Sequence, residues 1–429
     1  MADLLHTLTD QLDAPQSDFA RWDAYYDGVQ PLAFLSPEAK AALGDRLGRM
    51  VSNVPRLAVT SLAERLRVIG FEGADVWPDW IRNNLDQHSG TLHREALTLG
   101  SAYCIVWGDR TDRPVAAVES AKQVTALRDP GTGETSAALK RWSTSTTTEA
   151  VLWEPDRVRR FRAPTTGATA GGFQLVETLP NPLGVVPVVE FRNADRLLAE
   201  GVSEITDLAP LVDALNKTLA DMLVTSEYAA RPRRWATGIE LEEDETGEAV
   251  NPIPEGNRAM ISENPDAKFG QLDAADMAAY RDAVSVLVSQ IMAVSALPAH
   301  YLGALTDQPA SADALRASEA ALTARAEARQ QTFGRSWEQV ARLLVAVRTR
   351  GQMPAEIRVQ WNDPSTRSVA QEADAVVKLF ASGLLPASYA LKRLGYADDE
   401  ISEIRTARRA EALDSAGVNL TQLLPRESA

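Results

Sequence analysis

The chain has 429 residues, 45% of them hydrophobic and 24% charged, ordinary values for a globular protein with room for roughly two to four cored domains. Its 59 acidic and 44 basic residues leave a net charge of −15, which excludes a grip on nucleic acid by phosphate neutralisation but not a surface past which DNA slides. The single cysteine, Cys104, excludes a disulfide framework and fits a reducing cytoplasm. No basic-then-apolar leader is evident, and the apolar stretch 284–297 is too short and too interrupted by serines to span a bilayer.

In chain order, residues 1–100 read as mainly helical: a short N-terminal segment, a helix near 37–54 and another over 78–99. Between the last two, 56–69 is mixed, with Val59 and 66–69 as strand edges. Residues 101–193 read as β, in runs at 102–107, 115–118, 123–127, 150–153, 173–177 and 185–191. Turns at 108–114, 129–133 and 163–172 divide them. Cys104, in the first run, reads as a buried small hydrophobe.

A helix capped by Ser203 or Asp207 follows, with Leu208, Val212, Leu215, Leu219 and Met222 on one stripe, ending at 228–230 before Pro232. A second helix over 273–296 repeats the spacing with Met277, Tyr280, Val284, Leu287, Ile291 and Val294. Val286, Val288 and Met292 lie off that stripe, so burial on two sides is expected. The pair reads either as a hairpin inside a globular core or as stem helices packed against neighbouring subunits. Between them, a small β unit carries Arg231, Arg233 and Arg234, then an acidic run including Glu242, Glu243 and Asp244. Such clusters are either solvated loops or the two signs of a head-to-tail interface.

A small-residue loop at 306–312 leads into a helix, capped by Ser311, that runs to about Arg350 and approaches ~60 Å in length. Gly334 in its middle predicts a bend at a cost of about 1 kcal/mol. A strand at 356–361 and a helical tail over 368–408 follow, with breaks at Gly383 and Gly395, and loose order is expected past Ser415.

No catalytic constellation accompanies these elements. His88 and His93 are five residues apart, on different helix faces, with no Cys-x-x-Cys or His-Glu-x-x-His. The glycines at 131 and 133 belong to a hairpin turn, and no Gly-x-Ser-x-Gly occurs. Neither catalytic residues, a metal nor a cofactor is expected, and the chain reads as a machine part whose shape is its function.

Several short segments carry a resemblance by their order and spacing. They are YYDG at 25–28, LGSAY at 99–103, DALNK at 213–217 and RPRRWATG at 231–238, then LPAHYLG at 297–303, SADALR at 311–316 and QTFGRSW at 331–337. Together they resemble the portal (head–tail connector) proteins of tailed bacteriophages, of the kind found in long-tailed phages of actinobacteria, over about residues 19–410. The resemblance implies an α+β portal fold. Its parts would be a wing over 1–200, stem helices at 201–228 and 273–297, a clip at 229–272, and a tunnel-loop region at 298–312. The long helix and return strand would cover 313–363, and a helical crown and tail 364–429.

It further implies a ring of twelve subunits at one capsid vertex, packaging double-stranded DNA driven by the terminase large subunit and later ejecting it. Its other partners would be the major capsid or scaffolding protein and a head–tail adaptor. DNA would pass without sequence-specific binding, and no membrane would be involved. The protein would be made in the host bacterial cytoplasm and end in the virion. Thr306, Asp307, Gln308, Pro309 and Ser311 would face DNA from the tunnel loop; Arg231, Arg233, Arg234, Glu242, Glu243 and Asp244 would be clip contacts to neighbours, terminase or adaptor. Twelve helices spaced about 8–10 Å apart stand on a circle roughly 31–38 Å across, leaving a bore of about 21–28 Å, enough for duplex DNA. The competing reading is a virion structural or adaptor protein without a channel.

Overall fold

A computed structural model describes residues 2–31, 51–169, 171–197, 199–230, 234–238, 264–271, 277–303, 312–354, 356–365, 369–394, 396 and 398–420. The chain divides into two compact units, 1–364 and 365–429.

The first unit opens with α1 (Ala2–Asp13) and α2 (Gln16–Asp27). Next comes α3 (Val54–Ala63), whose N-terminus is capped by the Asn53 side chain accepting from Arg56 N–H and carries Pro55 in its first turn. β1 (Val68–Glu72), α4 (Trp77–Arg82) and α5 (Leu85–Leu99) follow. The β region contains β2 (Ser101–Gly108), β3 (Pro114–Ser120), β4 (Val124–Arg128), β5 (Thr135–Ser143), β6 (Thr148–Trp153), β7 (Arg157–Ala163), β8 (Gln174–Pro180) and β9 (Val188–Arg192). Then come α6 (Ala209–Ala230), β10 (Arg234–Thr237), β11 (Lys268–Gln271), α7 (Ala278–Ser295), a 3₁₀ turn (Ala299–Leu302), α8 (Ala312–Arg348) and β12 (Arg358–Trp361).

β4 to β8 form an antiparallel meander in chain order, and α1 covers one face, with Leu8 packed on Leu139, Ala150, Leu152 and Phe161. A second sheet, ordered β3-β2-β9, places Cys104 opposite both Val118 and Val189. Against it lies the C-terminal half of α8, whose Phe333, Trp337, Val340 and Leu344 join Trp80, Leu92 and Phe191 in the main core. The indole of Trp337 sits 4.8 Å from that of Trp80 and 4.5 Å from the Phe191 ring, edge-on or tilted. Burial, and secondarily Glu119, pushes the Cys104 thiol up in pKa, so it stays protonated and inert.

The β5 and β7 strands are not among the expected runs. β7 reads Arg-Val-Arg-Arg-Phe-Arg-Ala, and its inward positions are Arg159, Phe161 and Ala163. Arg159 is buried because Glu154 pairs with it at 2.8 Å, so a cation stands where alternation demands an apolar residue. Val59 is helical rather than a strand edge, and 78–99 is two helices because Asn84 adopts φ +52° between them. The helix expected at 37–54 falls largely outside the described residues. α8 runs unbroken through Gly334; a Cβ there would meet Trp361 and Val359 at 3.2 Å, so the glycine admits β12 rather than marking a break.

The second unit holds α9 (Val369–Ala381), α10 (Ala387–Arg393) and α11 (Asp398–Leu420). α11 continues past Ser415, where loose order was expected. Val376, Ala390 and Ile401 are buried in this unit, while Val377, Phe380 and Leu384 are exposed.

Candidate functional site: the helical hairpin and its root

The apolar stripes of α6 and α7 meet, with Val212, Leu215 and Ile291 buried together at the root. Thr225 and Tyr280 share a 3.0 Å hydroxyl hydrogen bond further out, so α7 returns antiparallel to α6. Beyond them β10 pairs with β11, Trp235 opposite Gly270. A Cβ on residue 270 would lie 2.5 Å from the indole, so glycine is required for the ring to lie across the strand. Trp235 and Phe269 remain partly exposed at this tip.

α6 is fastened over its first turns. The Tyr25 hydroxyl donates to Asp213 Oδ2 at 2.7 Å, and Ser52 N–H donates to Asn216 Oδ1 at 2.8 Å. Burial, then the Asp213 hydrogen bond, raises the Tyr25 pKa, keeping it a donor. Val54 and Ala58 of α3 complete its apolar seat. α7 differs: only Ile291 and Ser295 are buried, and Val286 is 61% exposed. Burial on two sides, expected from the sequence, is met only in part among the described residues: Val288 packs in the hairpin cluster and Met292 is half-buried, while Val286 stays open.

Two charged clusters hold the root. Glu204 Oε1 accepts from Arg329 Nη2 at 2.9 Å and from Asn193 Nδ2 at 3.1 Å, while Glu204 Oε2 lies 3.5 Å from Arg325 Nη1. Glu204 is itself placed by its N–H donating to Leu97 O and by the contact of Gly201 with Gly100, where a Cβ on residue 201 would clash with backbone. In the second cluster, Arg65 Nη2 pairs with Glu319 Oε2 at 3.2 Å and donates to the Tyr301 hydroxyl at 3.3 Å. His300 Nε2 is 3.5 Å from Glu319 Oε1, and Arg65 Nη1 donates to Pro364 O at 2.6 Å. The 3₁₀ turn and the first turns of α8 are thus tied to one arginine.

Of the residues singled out from the sequence, Arg234 opens β10 opposite Gln271. Arg231, Arg233, Glu242, Glu243 and Asp244 lie outside the described residues, as do Thr306, Asp307, Gln308, Pro309 and Ser311. Glu204, Arg325, Arg329, Arg65 and Glu319 were not anticipated. Their partners are up to 299 residues away in sequence, and α8 offers many similar charges.

A cleft of 850 Å³ lies between the two larger sheets, walled by Trp107, Trp142, Trp153, Leu179 and Val347. Its charged groups are engaged: Lys140 pairs with Glu119, Arg160 with Glu177 at 3.2 Å and Arg350 with Asp112 at 3.1 Å, while Asp109 accepts from Thr111 and from Arg113 N–H. Among the described residues no cluster of three His, Cys, Asp or Glu side chains is arranged to hold a metal, and no helix is long and apolar enough to cross a membrane.

The chain matches the family described as phage portal protein, SPP1 Gp6-like, over residues 36–413. It is 31% identical to the portal protein of Mycobacterium phage L5, with 94% of this chain and 87% of that one covered. It is 32% identical to the portal protein of Mycobacterium phage D29, covering 85% and 80%. Among solved structures, a chain in the virion of a native gene transfer agent particle aligns with a TM-score of 0.48 at 14% identity, covering 86% of this chain and 96% of that one. One in the neck of a native gene transfer agent particle, computed with C12 symmetry, aligns at 0.45 and 15% identity over the same shares. The family and its relatives define the class: a structural component of the phage virion. The chain belongs to the SPP1 Gp6-like family of phage portal proteins.

Proposed function

We propose that copies of this chain close into a ring of twelve at one capsid vertex, with α6 and α7 walling an axial channel. The uncovered face of α7 carries this reading: Ala279, Ala283, Val286 and Ala293 stand exposed on a helix whose other face is already occupied. A helix stripe in which small and apolar residues flank a single polar one, Gln290, admits close approach of another helix, and a neighbouring subunit is the partner that a ring supplies.

In this reading residues 1–200 form the wing, 201–228 and 273–297 the stem, 229–272 the clip and 298–312 the tunnel-loop region. Residues 313–363 cross the wing, and 364–429 form the crown. Thr306, Asp307, Gln308, Pro309 and Ser311 face DNA; Arg231, Arg233, Arg234, Glu242, Glu243 and Asp244 serve contacts with neighbours, terminase or the head–tail adaptor. The role is structural rather than catalytic. DNA is driven through by the terminase large subunit and leaves by the same route, while the capsid or scaffolding protein holds the ring. An acidic chain of net charge −15 suits a passage that does not retain the polyanion by charge. Negative-stain microscopy with mass photometry of the purified full chain tests this. Rings with an axial hole and a mass near twelve copies are expected; compact monomers or dimers, even from intact virions, would favour an adaptor without a channel.

A further inference from the structure

We infer that Arg325 is the positioning residue of the channel wall, setting where α7 stands by holding its C-terminal turn; the inference rests on the portal reading of the hairpin. Arg325 lies on α8, yet its Nη2 donates to Val294 O at 2.9 Å and its Nη1 to Ser295 O at 3.1 Å. These are two of the last carbonyls of α7, which have no partner inside the helix and form the negative end of its dipole. A guanidinium spanning both satisfies acceptors and charge together, and its planar fork fixes direction as well as distance.

Three further observations point the same way. The residue after α7, Ala296, holds φ +58°, a conformation that a side chain with Cβ adopts at a cost, so its surroundings must enforce the turn. Ile291 and Ser295 are the fully buried residues of α7, so the helix is seated most deeply at its C-terminal end. Further out it meets α6 through half-buried side chains and the Thr225–Tyr280 hydrogen bond, whereas α6 is also tied to the preceding elements by its Tyr25–Asp213 and Ser52–Asn216 hydrogen bonds. Arg325 is in turn held by Glu204, which Arg329 and Asn193 orient. Glu204 belongs to the segment leading into α6, so one cluster on α8 fastens both feet of the hairpin. Moving Arg325 therefore moves α7 relative to α6, whereas loss of core packing would loosen both helices.

Hydrogen–deuterium exchange on the assembled full chain tests this by comparing Arg325→Gln with the parent. Amides in the last turns of α7 are expected to exchange at least tenfold faster, those of α6 and the buried half of α8 to stay unchanged, and Arg325→Lys, which keeps the charge without the fork, to fall between. Filled heads carrying Arg325→Gln should lose DNA faster than the parent. Equal exchange of α7 in variant and parent, or equal loosening of both helices, overturns the inference. Should Arg325→Gln fail to fold, Arg325→Lys is read by the same criteria. If the parent forms no rings, the portal reading fails instead, and α7 exchange still reports on Arg325 in the monomer.

Discussion

Within the main core, Trp337 Nε1 donates to His93 Nε2 at 2.8 Å, and the Phe333 ring stacks on the imidazole at 5.5 Å between centroids. An N–H aimed at Nε2 needs a lone pair there, so His93 is neutral, and complete burial pushes its pKa from 6.5 down to about 3. The unfolded chain takes up this proton near the ordinary value, while the folded chain resists until far lower pH. Stability from this residue is therefore intact above about 6.5 and is lost as pH falls from there toward 3, by up to about 1.4 kcal/mol per pH unit. His93→Gln keeps an acceptor for Trp337 without titrating. Urea unfolding between pH 6.5 and 4 should show the parent losing stability faster than the variant, whereas parallel curves would contradict a neutral buried imidazole. From sequence, His93 stood out only as half of an unconvincing metal pair, because nothing in local spacing reveals a partner 244 residues away.

At the scale of elements, the long periodic helices were the most legible. The stripe from Leu208 to Met222 marks α6, and the Ala/Arg/Glu run with Phe333, Trp337 and Val340 marks α8, because helical period survives many turns. Short strands were less so. β5 holds Lys140, Arg141 and Trp142 on a half-covered sheet, and β7 buries an arginine, so neither shows clean alternation. The DALNK segment drew notice as a motif, and two of its members, Asp213 and Asn216, turn out to fasten α6. The Glu204 cluster left no such trace, since Arg325 and Arg329 look like any exposed i, i+4 pair in a charged helix. For α7, the exposed Val286 gives a direct test. Val286→Asp should leave the isolated chain within about 0.5 kcal/mol of the parent, as surface changes do. It should also cut ring formation by at least tenfold, scored by mass photometry. Undiminished assembly would mean that this face meets no neighbour.

At the scale of the whole molecule, family membership and the face of α7 left open among the described residues both support the proposed assembly. A hairpin fastened at its root, bare along one side of its second helix and tipped by a small β pair is suited to stand beside copies of itself. In the proposed ring, a net charge of −15 disfavours retention of passing DNA by charge. Cryo-electron microscopy of the purified assembly at side-chain resolution is the most direct measurement. It should show α6 and α7 of every subunit around a bore of about 21–28 Å, with Val286 against the adjacent copy. A ring whose axis is lined by the sheets, or one with the hairpins splayed outward and no central hole, would contradict it.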